Sequence, residues 1–227
     1  MFERLEKIFG PDNLNKLQGK TIAVIGVGGV GGYVVETLIR NSVKNLIIVD
    51  GDVVDITNKN RQIIATDDTI SKSKVEAFKE RIKSINNECN VICLNIFLNN
   101  SNINELFKYD IDYMVDACDT VSTKIILIKE CLNRNIKFIS SMGTGNKIDP
   151  KKLEIVPLNK TCYDPLARVI RQEIRKLNIK DNFPVLSSSE EIIKTGIRVP
   201  ASYSVVPNIA GILIADYIIK DIIKSED

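Results

Sequence analysis

The chain has 227 residues, 44% of them apolar, enough to bury a real core as one large α/β domain or as a domain with a lobe. It contains no histidine, which excludes Ser-His and Cys-His nucleophile pairs and imidazole-ligated metals. Its formal net charge of +2 creates no global field that would by itself call for nucleic acid.

The opening segment, MFERLEKIFG, scatters charges among apolar residues and carries no pattern of an export signal. TIAVIG then leads into the glycine-rich IGVGGVGG. A helix over about 29–40, the run NLIIVD, a helix over about 71–85, NVICLNIF, a short helix, DYMVDA, a helix over about 123–133 and KFISSM follow in turn. Short β-branched runs separated by amphipathic stretches predict an α/β fold: a Rossmann-like, mostly parallel sheet with helices on both faces. In such sheets ligands lie at the carboxyl ends of the strands, where each candidate below falls.

Beyond Pro150 the pattern changes to LEIVPL, a basic helix from near Asp164, a polar loop through SSSEE and a closing helix over about 207–223. Residues 1–150 are expected to form a nucleotide-binding core. Residues 151–227 would form a smaller C-terminal lobe of the same structural domain, being fewer than 80 and without a full strand-helix repeat. The longest apolar run, IAGILIADYII, is interrupted by Asp216 and falls short of the roughly 20 residues a membrane span needs, so no membrane partner is expected. Cys89, Cys93, Cys118, Cys131 and Cys162 are odd in number and form no CxxC pair, which suits reduced thiols in a cytoplasm.

Gly26, Gly28 and Gly31 make G-x-G-x-x-G between a strand and a helix, with Gly29 inside the same turn. Glycines there allow a tight turn, close approach of phosphate and close packing of helix on strand, while the helix N-terminus offers unpaired N–H groups to an anion. Asp50 closes the second strand, where a carboxylate accepts hydrogen bonds from ribose hydroxyls. To this point an NAD-dependent oxidoreductase explains the residues equally well. The next residues favour ATP. A dinucleotide has no further phosphate for Arg61 and Lys74, whereas a planar fork and a point charge can neutralise a triphosphate and the pyrophosphate that leaves it. Asp119, at the end of DYMVDACD, stands at a strand end where it could hold Mg2+, and Asn58 and Gln62 can donate to phosphate or carboxylate without adding charge.

These residues resemble the superfamily of ubiquitin-activating and molybdopterin- or thiamine-adenylating enzymes. The matching pieces are GVGGVG, D-x-D at Asp50 and Asp52, N-x-x-R-Q from Asn58 through Arg61 to Gln62, SKSK ending at Lys74, and D-A-x-D at Asp116 to Asp119. The resemblance implies that Asp50 binds ribose, that Asn58, Arg61, Gln62 and Lys74 surround the triphosphate and acyl group, and that Asp119 holds magnesium. It also implies a homodimer in which an N-terminal arginine enters the neighbouring ATP site, a position that Arg4 matches loosely. Within the superfamily, TNKNRQ, SSMGTGNKIDP, KTCYDPLARVIRQEIRK and VVPNIAGILIADYIIKDI are similar to the tRNA threonylcarbamoyladenosine dehydratase branch. That branch uses ATP to activate the threonyl carboxylate of a modified adenosine beside the anticodon, after which the carbamoyl group closes a ring and AMP and pyrophosphate are released. Sulfur-transfer and cysteine-desulfurase proteins are further partners the resemblance suggests. The missing CxxC counts against the alternative, adenylation of a ubiquitin-like sulfur-carrier protein.

From Lys147 to Lys180 nine Lys or Arg stand against four acids. Arg168, Arg171 and Arg175 recur at i, i+3 and i+7 on one helical face, with Leu166, Val169, Ile170, Ile174 and Leu177 expected on the other. With Lys160, these arginines are the candidates for tRNA phosphate contacts, which should be steeply salt-dependent.

Overall fold

The computed structural model describes residues 1–196 and 199–225. Its seven-stranded sheet has the order β3-β2-β1-β4-β5-β7-β6. The strands are β1 (Thr21–Ile25), β2 (Asn45–Val49), β3 (Asn90–Leu94), β4 (Tyr113–Asp116), β5 (Lys137–Ser141), β6 (Leu153–Pro157) and β7 (Pro184–Ser188). All neighbours pair in parallel except β6 and β7, which are antiparallel. The helices are α1 (Glu3–Phe9), α2 (Pro11–Gly19), α3 (Gly31–Arg40), α4 (Lys74–Ile85), α5 (Val121–Arg134), α6 (Pro165–Lys176) and α7 (Val205–Lys224).

The central strands are continuous apolar runs because both faces are covered. In β1, Ile22 and Val24 join the core formed with α2, α3, α4 and α7, while Ala23 and Ile25 join the core formed with α5 and α6. Alternation therefore assigns each strand residue to a layer. The short helix expected after β3 is a single 3-10 turn, Ile103–Glu105.

The structure departs from the sequence reading beyond Pro150. Two serines of the expected polar loop end a strand: β7, which carries Ser187 and Ser188, lies between β5 and β6 and is buried at both of them. Serine reads as loop, yet here the Ser187 hydroxyl donates to Asp164 (3.3 Å) and the Ser188 carbonyl accepts from the Lys147 ammonium (2.9 Å), so burial leaves these groups paired. Residues 151–227 thus supply strand, helix, strand and helix, and their strands extend the sheet of the first 150 residues. The apolar face of α6 also differs from expectation. Ala167, Ile170 and Ile174 are buried, while Val169 and Leu177 are 38% and 43% exposed.

Candidate active site

The site grows from the turn between β1 and α3. Gly26 has φ +82, and a Cβ on it would stand 2.9 Å from the Ala117 carbonyl oxygen; on Gly31 it would stand 1.8 Å from the Gly26 carbonyl oxygen. Only glycine permits either approach, and the first of them brings the β4–α5 turn against the glycine turn. Asp50, at the end of β2, accepts the Val27 N–H through Oδ2 (2.9 Å) and the Asp52 N–H through Oδ1 (2.9 Å). One carboxylate thereby ties the glycine turn to the neighbouring strand end.

The segment after β2 folds back over this turn. It starts with a 3-10 turn, Ile56–Asn58, in which Asp55 and Asn58 cap each other. Asn58 is buried and spends its side-chain oxygen on the Asp55 N–H (3.1 Å), which leaves its amide nitrogen as the donor. Arg61 follows, and its Cγ lies 3.4 Å from where a Cβ on Gly29 would be; Gln62 Nε2 lies 3.7 Å from the same point on Gly28. The expected Arg-Gln pair therefore covers the glycine turn. The guanidinium is held from behind by the Thr57 carbonyl (3.0 Å) and the Asn60 side chain (2.9 Å).

Lys74 opens α4 with its side chain only 7% exposed. Its ammonium donates to Asp52 Oδ2 at 2.7 Å and stands 3.9 Å from Asp50 Oδ1. Backbone pairing of Val53 with Ser73, and of Lys74 N–H with the Asp52 carbonyl (3.0 Å), fixes that meeting. Gln62 Oε1, and Ser73 Oγ beside Lys74, are buried without a hydrogen-bond partner. Such atoms are costly to leave unmatched, and their position suits a polar ligand.

Asp119 is exposed on the β4–α5 turn, where it accepts from the Thr120 hydroxyl (3.3 Å). Asp52 and Asp119 are thus open carboxylates on either side of the glycine turn. Arg4 does not join them: it is exposed on α1, which has no buried residue. Of the basic residues, Lys160, Arg168 and Arg175 are exposed, but Arg171 is half-buried and donates to the Thr161 carbonyl (3.1 Å) and hydroxyl.

Two buried charge clusters support the site, and sequence reasoning assigned a role to neither. Lys124 is fully buried on the first turn of α5; its ammonium reaches both Asp116 oxygens (3.1 Å each), the Ser140 hydroxyl (3.3 Å) and the Ser141 carbonyl (2.8 Å). Its signal in the sequence was a lysine followed directly by the apolar run IILI. The second cluster lies under the turn after β5, where Asp164 accepts the Gly143 N–H (3.0 Å) and caps α6 through the Ala167 N–H (3.0 Å). Burial pulls the Lys147 ammonium below the ordinary lysine pKa, a shift that the charges of Asp164 and Glu190 oppose. Cys118 donates to Asp116 (3.0 Å), and burial, then the Asp116 charge, raises its thiol, so it stays protonated and is a poor nucleophile.

The chain is similar to known proteins over nearly its full length. The ThiF family profile matches residues 2–227. The chain is 40% identical over 240 residues to the tRNA threonylcarbamoyladenosine dehydratase of Bacillus subtilis, covering 98% of this chain and 94% of that protein. It is 34% identical over 184 residues to the enzyme of that name from Escherichia coli, covering 81% of this chain and 67% of the other. Among solved structures, the Escherichia coli tRNA N6-threonylcarbamoyladenosine dehydratase in complex with ATP superposes with a TM-score of 0.92 at 29% identity, covering 97% of this chain and 93% of that one. The same enzyme in complex with AMP gives the same TM-score at 28% identity.

Proposed function

The chain belongs to the ThiF family, and from that membership we propose that it uses ATP to adenylate the threonyl carboxylate of threonylcarbamoyladenosine in tRNA. The carbamoyl group of the same nucleoside then attacks the activated carbonyl, closes a ring and releases AMP. The observation that carries the reading is the placement of Arg61 and Gln62 across the glycine turn, with Asp50 and Lys74 at the next strand end.

Each residue has a task in that reaction. Glycine-turn N–H groups and the α3 N-terminus receive phosphate oxygens. Asp50, fixed by its two backbone donors, takes the ribose hydroxyls. Arg61 stabilises charge on the leaving pyrophosphate, and Lys74 exchanges part of its hold on Asp52 for phosphate. Asn58 and Gln62 orient the acyl carboxylate. Mg2+ is commonly held by one or two carboxylates together with substrate phosphates, so the open carboxylate of Asp119 suits it; when bound, it neutralises phosphate charge. The ring closes within the substrate, so no enzyme nucleophile is needed, in keeping with the protonated Cys118.

We place tRNA phosphates on Lys160, Arg168 and Arg175, which are exposed. A homodimer that brings Arg4 to a neighbouring site is supported by α1, which buries none of its residues in its own chain. No described helix is long and apolar enough to cross a membrane. The five cysteines are free thiols, which supports a cytoplasmic setting.

The test is AMP release by the purified protein given Mg-ATP and tRNA carrying the carbamoylated base. Arg61→Ala or Lys74→Ala should each slow it by roughly a hundredfold or more with the fold intact, as loss of a group stabilising transition-state charge commonly does. Release of ADP, or normal turnover by Arg61→Ala, would overturn the assignment.

A further inference from the structure

We propose that Asn60 is a positioning residue: it fixes the Arg61 guanidinium beside the glycine turn by tying it to the backbone of the segment that enters α7. The inference rests on the ATP reading above and extends it to an uncharged residue that acts only through Arg61.

An arginine side chain is long, and holding it in one place costs rotamer freedom. Two acceptors hold this one, the Thr57 carbonyl (3.0 Å) and Asn60 Oδ1 (2.9 Å), and both meet Nη1. Among the described residues, Nε and Nη2 are thereby left for a phosphate, a pair of donors that the planar fork presents together.

The other end of the Asn60 amide reaches a remote part of the chain. Its Nδ2 donates to the Ser202 carbonyl (3.1 Å). A guanidinium has no acceptor and a carbonyl no donor, so a side chain that joins them must turn an acceptor to one and a donor to the other. The asparagine amide has both.

Ser202 is itself held in place. Its neighbour Ala201 exchanges two bonds with Asn146, on the loop after β5: the Asn146 N–H donates to the Ala201 carbonyl (2.8 Å), and the Ala201 N–H donates to Asn146 Oδ1 (2.7 Å). Beyond Ser202, Pro207 meets the glycine turn, its Cβ 3.4 Å from where a Cβ on Gly29 would be, the same distance as Arg61 Cγ. The segment is thus pinned on both sides of the carbonyl that Asn60 reads, and Asn60 passes that placement to Arg61.

Asn60 is exposed, so Asn60→Ala should keep the wild-type melting temperature. In the AMP-release assay with Mg-ATP and tRNA carrying the carbamoylated base, it should lower kcat roughly 10- to 100-fold and move KM for ATP by less than about threefold, as misplacing a catalytic group does. A double-mutant cycle with Arg61→Ala separates positioning from a general structural effect. With Arg61 gone, Asn60→Ala should slow single-turnover AMP release no further, and additive losses would overturn the inference. Asn60→Asp keeps the acceptor for Arg61 and loses the donor for Ser202; it should share the alanine defect, and wild-type kcat in that variant would overturn the inference. Wild-type kcat in Asn60→Ala overturns it too and leaves the adenylation reading standing. Absence of AMP release by the unmodified protein overturns both.

Discussion

Lys124 and Asp116 are the residues whose roles are furthest from what their types suggest. A fully buried ammonium is normally a liability, yet this one is met by carboxylate, hydroxyl and carbonyl oxygens and lies beneath the turn that carries Asp119. Asp116 also reaches up into that turn, accepting weakly from the Cys118 N–H (3.3 Å). The pair therefore anchors the turn that carries Asp119. Lys124→Met strands a buried carboxylate and should cost about 3–5 kcal/mol in denaturant unfolding, the usual penalty for breaking a buried pair. Replacing both, Asp116→Val with Lys124→Met, should restore much of that stability. The repaired variant should still release AMP slowly, because the turn has lost its anchor. Full activity in the double variant would reduce the pair to a structural feature.

The helix α6 shows what periodicity can and cannot assign. Its arginine spacing was legible, and so was the start near Asp164, because Asp before Pro is a strong N-cap signal. The three arginines nevertheless divide by their surroundings. Arg168 and Arg175 are open, while Arg171 turns down to Thr161. Removing both open arginines should reduce the salt slope of tRNA retention by about 1 for each phosphate left without its cation, measured as log affinity across a salt series. Arg171→Ala should leave that slope unchanged and lower the melting temperature instead. A slope that moves only with Arg171 would transfer the RNA-binding role to the half-buried residue. The strands of the first 150 residues were legible because burial on both faces writes each as an unbroken apolar run, and the glycine turn because its spacing is dictated by sterics. The strand β7 was not, since its buried serines owe their places to Asp164 and Lys147, partners remote in the chain. The same limit hid Lys124: its role depends on Asp116 and Ser140, which only the fold brings to it.

At the scale of the whole molecule, the C-terminal third completes the layer that supports the glycine turn. α7 packs Val206, Ala210, Ile214, Ala215 and Ile218 into the same core as α3 and α4. It comes close to α3 at Gly211, where a Cβ would fall 2.3 Å from the Val30 carbonyl oxygen and 2.8 Å from Tyr33 Cβ. Val30 lies within the glycine turn and caps α3, so a displacement of α7 is felt at that turn. Gly211→Ala tests this coupling. Alanine favours the helix locally by about 1 kcal/mol, but a backbone oxygen at that distance cannot move aside as a flexible side chain would, so the steric term should win. The expected loss is about 1–3 kcal/mol, a fall in Tm of about 2–4 °C for each kcal/mol in a chain of this size, accompanied by a higher KM for ATP. Because β7 pairs with β5 inside one sheet, unfolding should remain a single transition that shifts as a whole. Two transitions, only one of them moved by the substitution, would mean that residues 151–227 fold as a unit of their own and that the glycine turn does not depend on them.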